Sequence, residues 1–509
     1  MQKNIVIVDR SQTPFSIEFT PSFNVAVPFL DRHLSEGRRE KVAIRTERED
    51  VTYKELAERV NRCGNVFKSL GLSSGDRMLM AVTDGPDFFY AFWGAIKLGV
   101  IPIPVNTLLR APDYQFLIDD SGCSAVTYSE TLEAEISPAI AEAKNSKVIA
   151  MPTRGDLSLW SRMEEADDQL DPVEKTPTDE CFWLYSSGST GNPKGVVHSH
   201  RDMIITSQRY AVDTLGVKES DTFFSAGKLF FSYGFGNAMT FPLWIGGTAI
   251  LSPRRTAPDM AFELIEKFKP TVFFGVPTLY GQQLRLMDKQ KPDLSSLRIC
   301  ASAGEALPAP ILDRWKELTG LVIIDGLGST EVLHIFVCNR HDDYKPGTSG
   351  KVVAGYEVKI IGDDGEPVQC GEIGTLFVKG LSNAKHYWNN PEKTASTMLG
   401  EWINTGDMYH QNEDGFFVNG GRSDDMLKVG GMWCSPFEIE SRLIAHDNVA
   451  EAAVVGRTDE DGMIKPEAFV VLKEPGKTED EMVDELREHC KAGLERFKYP
   501  RWFNFVDQL

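Results

Sequence analysis

From Val42 to about Glu180, and again from Asp221 to Glu331, apolar runs at helical spacing alternate with short strand-like runs. This alternation constrains the fold more than any other feature, because it calls for parallel sheets flanked by helices. Leu56 to Leu72 has apolar residues at helical spacing, and the strand candidate Arg77 to Val82 follows it. Phe88 to Leu98 reads as an amphipathic helix, and Val100 to Val105 as an apolar, proline-bearing strand. The second stretch holds the strand candidates Thr248 to Leu251, Thr271 to Val276 and Leu321 to Gly326. From Gly347 the texture changes to glycine-punctuated strands (EVKIIG, GTLFVKG, GFFVNGG), which predicts an all-β subdomain over about 345–423. After Arg422 a short segment, SDDMLKVGGM, leads into a helix starting near Ser435-Pro436, two strands and a helix from Thr478 to Leu494. The expected fold is a multi-subdomain α/β chain. A large domain, 1–423, has two α/β sheets plus the β subdomain, and a small α/β lid domain spans 424–509.

Composition narrows the partners. A chain of 509 residues is too long for one ordinary core. It contains no apolar run long enough to span a membrane, which takes about 18 residues. The N-terminal MQKNIVIVDRSQTPF lacks the basic-then-apolar pattern of a secretory signal. The net charge of −20 opposes nucleic acid and anionic lipid as main partners. The 8 cysteines stand far apart with no CxxC pair, which reads as reduced thiols in a cytoplasmic protein. Oligomeric state is not legible, and a homodimer is the assembly left open.

The sharpest local signal is Tyr185-Ser186-Ser187-Gly188-Ser189-Thr190-Gly191-Asn192-Pro193-Lys194-Gly195, after the strand candidate CFWLY. Hydroxyls and backbone N–H groups on a glycine-rich chain, with one lysine, suit a polyphosphate. It is not the GxxxxGK[ST] loop, because no Ser or Thr follows Lys194.

This string resembles the signature of the acyl-adenylate-forming superfamily, which includes acyl- and aryl-CoA synthetases, firefly luciferase and peptide-synthetase adenylation domains. The resemblance covers nearly the whole chain. It implies that Ser186, Ser187, Gly188, Ser189, Thr190, Gly191 and Lys194 bind phosphate. In Gly326-Leu327-Gly328-Ser329-Thr330-Glu331 it implies that Thr330 contacts phosphates and Glu331 holds Mg²⁺, an ion that takes one or two carboxylates plus phosphate oxygens. Gly304, Glu305, Ala306, Asp325 and Leu327 fall to the adenine and ribose pocket. Leu327 stands where relatives usually stack an aromatic on the base. Asp407, in Thr405-Gly406-Asp407, and Arg422 resemble the ribose grip. Asp424 resembles the hinge about which the small domain rotates between the half-reactions. Gly430 and Gly431 then lie along the coenzyme A tunnel with Tyr233, and Lys428 near the carboxylate as a catalytic residue. The family also carries a terminal lysine in a PKxxxGK stretch, and the chain stops at Leu509 where that stretch should begin. The expectation is therefore a small domain truncated before that motif, weak in adenylation and competent in thioester formation.

The segment Lys228-Leu229-Phe230-Phe231-Ser232-Tyr233-Gly234 matches the superfamily's aromatic gate. Amino-acid-activating relatives place an aspartate where Gly234 stands, so a substrate ammonium would be buried unpaired, which is costly. KLFFSYGFGNAMTF, SAGEALP and GLGSTEVLHIF most resemble benzoate–CoA ligases. That resemblance implies an acyl pocket of Ser232, Tyr233, Phe241, Ala303, Gly328, His334 and Ile335, with Ala303 and Gly328 small to admit a flat ring. The implied activity is ATP- and Mg²⁺-dependent adenylation of benzoate or a close analogue, then acyl transfer to coenzyme A with release of AMP and pyrophosphate. Other acids (4-hydroxybenzoate, aminobenzoate, a cyclohexene carboxylate, a medium-chain acid) and a non-catalytic acyl-AMP- or nucleotide-binding protein stay open.

Overall fold

The computed structural model describes residues 3–11, 14–188, 191–422, 426–429, 432–460, 463–473, 478–496 and 498–509. The first α/β unit is a four-stranded parallel sheet ordered Ile101–Pro104, Arg77–Ala81, Ala125–Tyr128, Ile149–Pro152. Its first helix is Tyr53–Ser69, starting before Leu56 because Thr52 and Glu55 form a capping box there. The next, Pro86–Leu98, starts on a proline and stops at Gly99 in the left-handed region (φ 81°). It is not amphipathic as expected: every residue from Phe88 to Leu98 is buried, so it is a core helix. Its buried Lys97 ammonium pairs with the Asp31 carboxylate and donates to the Asn61 side-chain oxygen, each at 2.8 Å.

The second unit is a nine-stranded sheet. Its parallel centre runs Ile323–Gly328, Ile299–Ser302, Val272–Gly275, Thr222–Ser225, Thr248–Ile250, Val42–Arg45. The strand Ile323–Gly328 extends beyond the expected Gly326 and then reverses through Thr330–Val332 to pair antiparallel with Ile335–Cys338. The reversal needs Leu333 at φ 73°, an uncommon conformation for leucine, and it sets the directions of Glu331 and His334.

The Ser/Gly-rich string closes a hairpin. Glu180–Gly188 pairs antiparallel with Gly191–Ser199, matching Ser186 to Lys194, with a register shift between Gly191 and Lys194. His386–Tyr387 adds a third strand beside Val196 and Val197. The β subdomain contains Tyr356–Ile361, Gly374–Gly380, Trp402–Gln411 and Phe417–Arg422. Trp402–Gln411, not foreseen from sequence, is central and pairs with strands on both sides. Beyond it, Val449–Thr458, Ile464–Leu472 and Trp502–Phe505 form a sheet packed by helices Pro436–Ile444 and Glu479–Lys491. Ser435 and Thr478 cap those helices through their hydroxyls. No helix among the described residues is long and apolar enough to cross a membrane.

Candidate active site

A cleft of about 1980 Å³ lies between the hairpin, the end of strand Ile323–Gly328, the β subdomain and the small domain. Ser186, Lys194, Gly304, Glu305, Ala306, Leu327, Gly328, Thr330, Glu331, Asp407 and Arg422 all line it. The small domain contributes Pro436, Phe437, Glu440, Val455 and Ile464, and an Arg285–Glu451 ion pair at 2.8 Å joins it to helix Pro277–Met287.

One wall is built for an anion. Ser186 Oγ and Ser329 Oγ, on opposite strands, are buried and make no hydrogen bond. Orphaned hydroxyls of this kind cost stability unless a ligand or water completes them. Lys194 is half-buried, its ammonium 5.4 Å from the Tyr387 ring centroid. Tyr387 Oη donates to Glu331 Oε1 at 2.7 Å, so one aromatic side chain orients the acidic group and lies under the basic one. Tyr387 was missed from sequence, since nothing local marks it; only the pairing of its strand with Val196 brings it there. No group of three or more His, Cys, Asp or Glu suited to a metal occurs among the described residues.

Asp407 and Arg422 face each other across two strands, Arg422 Nη1 donating to Asp407 Oδ1 at 3.1 Å. Burial pushes the Asp407 carboxyl up to about 6, with Arg422 pulling the other way. Gly406 and Gly421 take positive φ, 73° and 108°, which turns the strand edges around that pair. Asp325 does not join the cleft wall. Its side chain is 3% exposed, with Oδ1 unpartnered, and burial lifts its carboxyl well above the usual range. Its backbone carbonyl is used by Asn339 N at 2.9 Å.

Behind Gly326–Gly328 sits an aromatic cage. The His334 ring lies 4.6 Å from Phe241, 5.1 Å from Tyr210 and 5.6 Å from Tyr233, and Tyr233 meets Phe274 edge-on at 6.1 Å. Ala303 and Ile335 are buried in the same cluster. Ser232 and Tyr233 open the short helix Ser232–Phe235, while Phe231 stands 52% exposed at the cleft. Tyr210 and Phe274 were missed because they come from distant elements without a motif. Tyr233 Oη, the Asn237 amide and His334 Nδ1 are buried without hydrogen-bond partners. His334 Nε2 faces the Tyr233 carbonyl at 3.3 Å, and burial lowers the ring to about 3, so it is neutral.

Two glycines have reasons the sequence did not show. A Cβ on Gly328 would meet the His334 carbonyl oxygen at 2.8 Å, so cross-strand packing by itself requires a glycine here. A Cβ on Gly234 would lie 2.2 Å from the Lys228 carbonyl oxygen and 2.4 Å from that of Gly227, so no side chain of any charge fits without a shift. Ser187, Gly188 and Gly191 lie on the hairpin strands, and Lys428 on Leu427–Val429 opposite Trp433. Ser189, Thr190, Asp424, Gly430 and Gly431 lie outside the described residues.

The AMP-binding enzyme family matches residues 30–388, and the AMP-binding enzyme C-terminal domain matches residues 438–509. The chain is 46% identical to a benzoate–CoA ligase of Thauera aromatica over 99% of this chain and 96% of the relative. Among solved structures, the anthranilate CoA ligase AuaEII in complex with anthranoyl-AMP superposes with TM-score 0.90 at 38% identity, over 96% of this chain and 95% of that one. A benzoate CoA ligase from Burkholderia xenovorans LB400 gives 0.88 at 41% identity, over 96% and 97%. With two family domains matching residues 30–388 and 438–509, this chain belongs to the AMP-binding enzyme family.

Proposed function

We propose that the protein is an AMP-forming acid–thiol ligase acting on benzoate or a close aromatic analogue. The observation that carries this is adjacency: Gly326–Glu331 presents orphaned and acidic groups to the cleft while its reverse side closes an aromatic cage. Aromatic walls of this kind suit a flat apolar acid held with its carboxylate toward the phosphate wall.

A carboxylate is a poor acyl donor, because its oxygen cannot leave. Its attack on the α-phosphorus of ATP expels pyrophosphate and gives an acyl-adenylate, from which the coenzyme A thiolate displaces AMP. Lys194 and the hydroxyls of Ser186, Ser189, Thr190 and Thr330 stabilise the charge that develops on the phosphates. Glu331, oriented by Tyr387, is the residue that would hold Mg²⁺, which supplies charge neutralisation at the departing pyrophosphate. Asp407 and Arg422 hold the ribose, Gly304 to Ala306 and Leu327 the adenine. Asp424 serves as the hinge between a large domain (1–423) and a small one (424–509). Gly430, Gly431 and Tyr233 line the thiol's approach, and Lys428 acts near the carboxylate.

A second reading, a hydroxy- or aminobenzoate, is favoured by the unpartnered Tyr233 Oη, Asn237 amide and His334 Nδ1 at the cage, which a polar ring substituent would complete. A pyrophosphate-release assay over a panel of acids tests both. Benzoate leading the panel supports the first reading, a hydroxy- or aminobenzoate the second. An aliphatic or amino acid at the top would refute both.

A further inference from the structure

Strand Gly191–Ser199 carries a second functional side chain beyond Lys194. His198 is fully buried and stacks on Phe182 at 5.3 Å and 18° between planes. Its Nδ1 lies 3.0 Å from Asp202 Oδ2 and its Nε2 lies 2.8 Å from the carbonyl oxygen of Thr330. Both partners are acceptors. Asp202 takes the Ser199 N–H at 2.8 Å on Oδ2 and the Ser199 hydroxyl at 2.6 Å on Oδ1. The Thr330 carbonyl already accepts Leu333 N at 3.0 Å, and its remaining lone pair faces the imidazole.

A carbonyl oxygen can only accept, so Nε2 is the donor in the contact with Thr330. The Thr330 carbonyl belongs to the peptide that joins Thr330 to Glu331, and the ring touches it from the strand that also holds Lys194. The two facing walls of the cleft are thereby tied by one side chain.

We infer that His198 is a positioning residue: held by Asp202 on one side, it fixes the Thr330–Glu331 peptide against the Lys194 strand so that both walls meet the same polyphosphate. This rests on the proposed role of Thr330 and Glu331 at the phosphates. Glu331 is held independently by Tyr387 and by Ala384 N, which donates to its carbonyl at 2.8 Å, so loss of His198 should misplace the station and not unfold it.

The test compares ligand binding between the parent and variants. His198→Phe keeps the stacking on Phe182 and removes the ring's hydrogen bonds. Its affinity for ATP should fall about tenfold, while adenosine, which has no phosphate, should bind within about twofold of the parent. Equal loss for adenosine would make His198 a merely structural residue and overturn the inference. Thr330→Ala separates the two layers. If it weakens ATP binding and His198→Phe does not, the inference fails and the phosphate reading stands; if Thr330→Ala leaves ATP binding unchanged, the phosphate reading is what fails. Should His198→Phe not fold, His198→Gln and His198→Ala take its place: glutamine, which can still donate to the Thr330 carbonyl, should keep ATP affinity and alanine should lose it, and no difference between them overturns the inference.

Discussion

The phosphate wall and the aromatic cage share one strand, Ile323–Gly328, and are built on opposite principles. The wall is open, polar and partly unsatisfied: Ser186 and Ser329 have idle hydroxyls, and Lys194 and Glu331 lean on one tyrosine. The cage is closed and apolar, with His334, Phe241, Ala303 and Ile335 all nearly inaccessible. Charge developing on a phosphate needs fixed dipoles that cost no reorganisation. Discrimination of a ring needs tight packing, where one misplaced methylene is felt. A substitution at the wall should therefore act on nucleotide and metal, and one in the cage on the acid.

The largest break in that contrast is expected from Glu331→Gln. Loss of the acidic group should cut activity at limiting Mg²⁺ by about a hundredfold, in line with about 1.5–3 kcal/mol for a charge-assisted contact. The KM for benzoate should hardly move. A Mg²⁺ titration of the rate checks this, and a requirement equal to the parent's would remove Glu331 from the metal site. Lys194→Ala comes next, raising the KM for ATP by about tenfold. An unchanged ATP dependence would detach the hairpin from the nucleotide.

Ala303→Leu sharpens the comparison from the other side. Overpacking a tight interior typically costs about 1–3 kcal/mol, so benzoate turnover should drop while ATP affinity persists. Retained benzoate turnover would place the acid elsewhere. The smallest effect is expected from pH. With its carboxyl raised to about 6 by burial, Asp407 becomes a better acceptor for ribose hydroxyls only above that value. Adenosine affinity should rise a few-fold as pH increases through about 6 and should lose that dependence in Asp407→Asn. The sign for folding is opposite. A carboxyl raised in the folded state favours folding fully below its unfolded value of 3.8, and that contribution is lost as pH rises toward about 6. The same pH profile in Asp407→Asn would assign the titration to another group.

The same contrast explains what could be read from sequence. The wall is mostly contiguous: a string from Tyr185 to Gly195 and another from Gly326 to Glu331 place hydroxyls, lysine and glutamate within short reach. Its remaining members are long-range. Tyr387 reaches Glu331 across 56 residues of chain, and His198 reaches Thr330 across 132, both through contacts that no local spacing encodes. The cage was legible only as an ordered set of motif positions, and Tyr210 and Phe274 fell outside them. Asp325 stands next to residues that line the cleft, but its own side chain is almost wholly buried, which nothing in the local sequence marks. At the level of elements, period and caps located most helices, whereas Phe88–Leu98 was taken as amphipathic although it is buried all round. The central strand Trp402–Gln411 escaped because its run WINTGDMYHQ mixes polar and turn-forming residues, and its pairing on both sides sustains it.

The central claim is that the benzoate carboxylate itself attacks the α-phosphate of ATP. The most direct measurement supplies benzoate labelled with ¹⁸O in its carboxylate, together with ATP, Mg²⁺ and coenzyme A, and reads the phosphorus-containing products by mass spectrometry, a readout that depends on bond history and not on rate. One ¹⁸O atom transferred to AMP and the other retained in the benzoyl-CoA carbonyl, with pyrophosphate unlabelled, is the predicted result. Label in inorganic phosphate with ADP formed would show attack on the terminal phosphate and contradict the account.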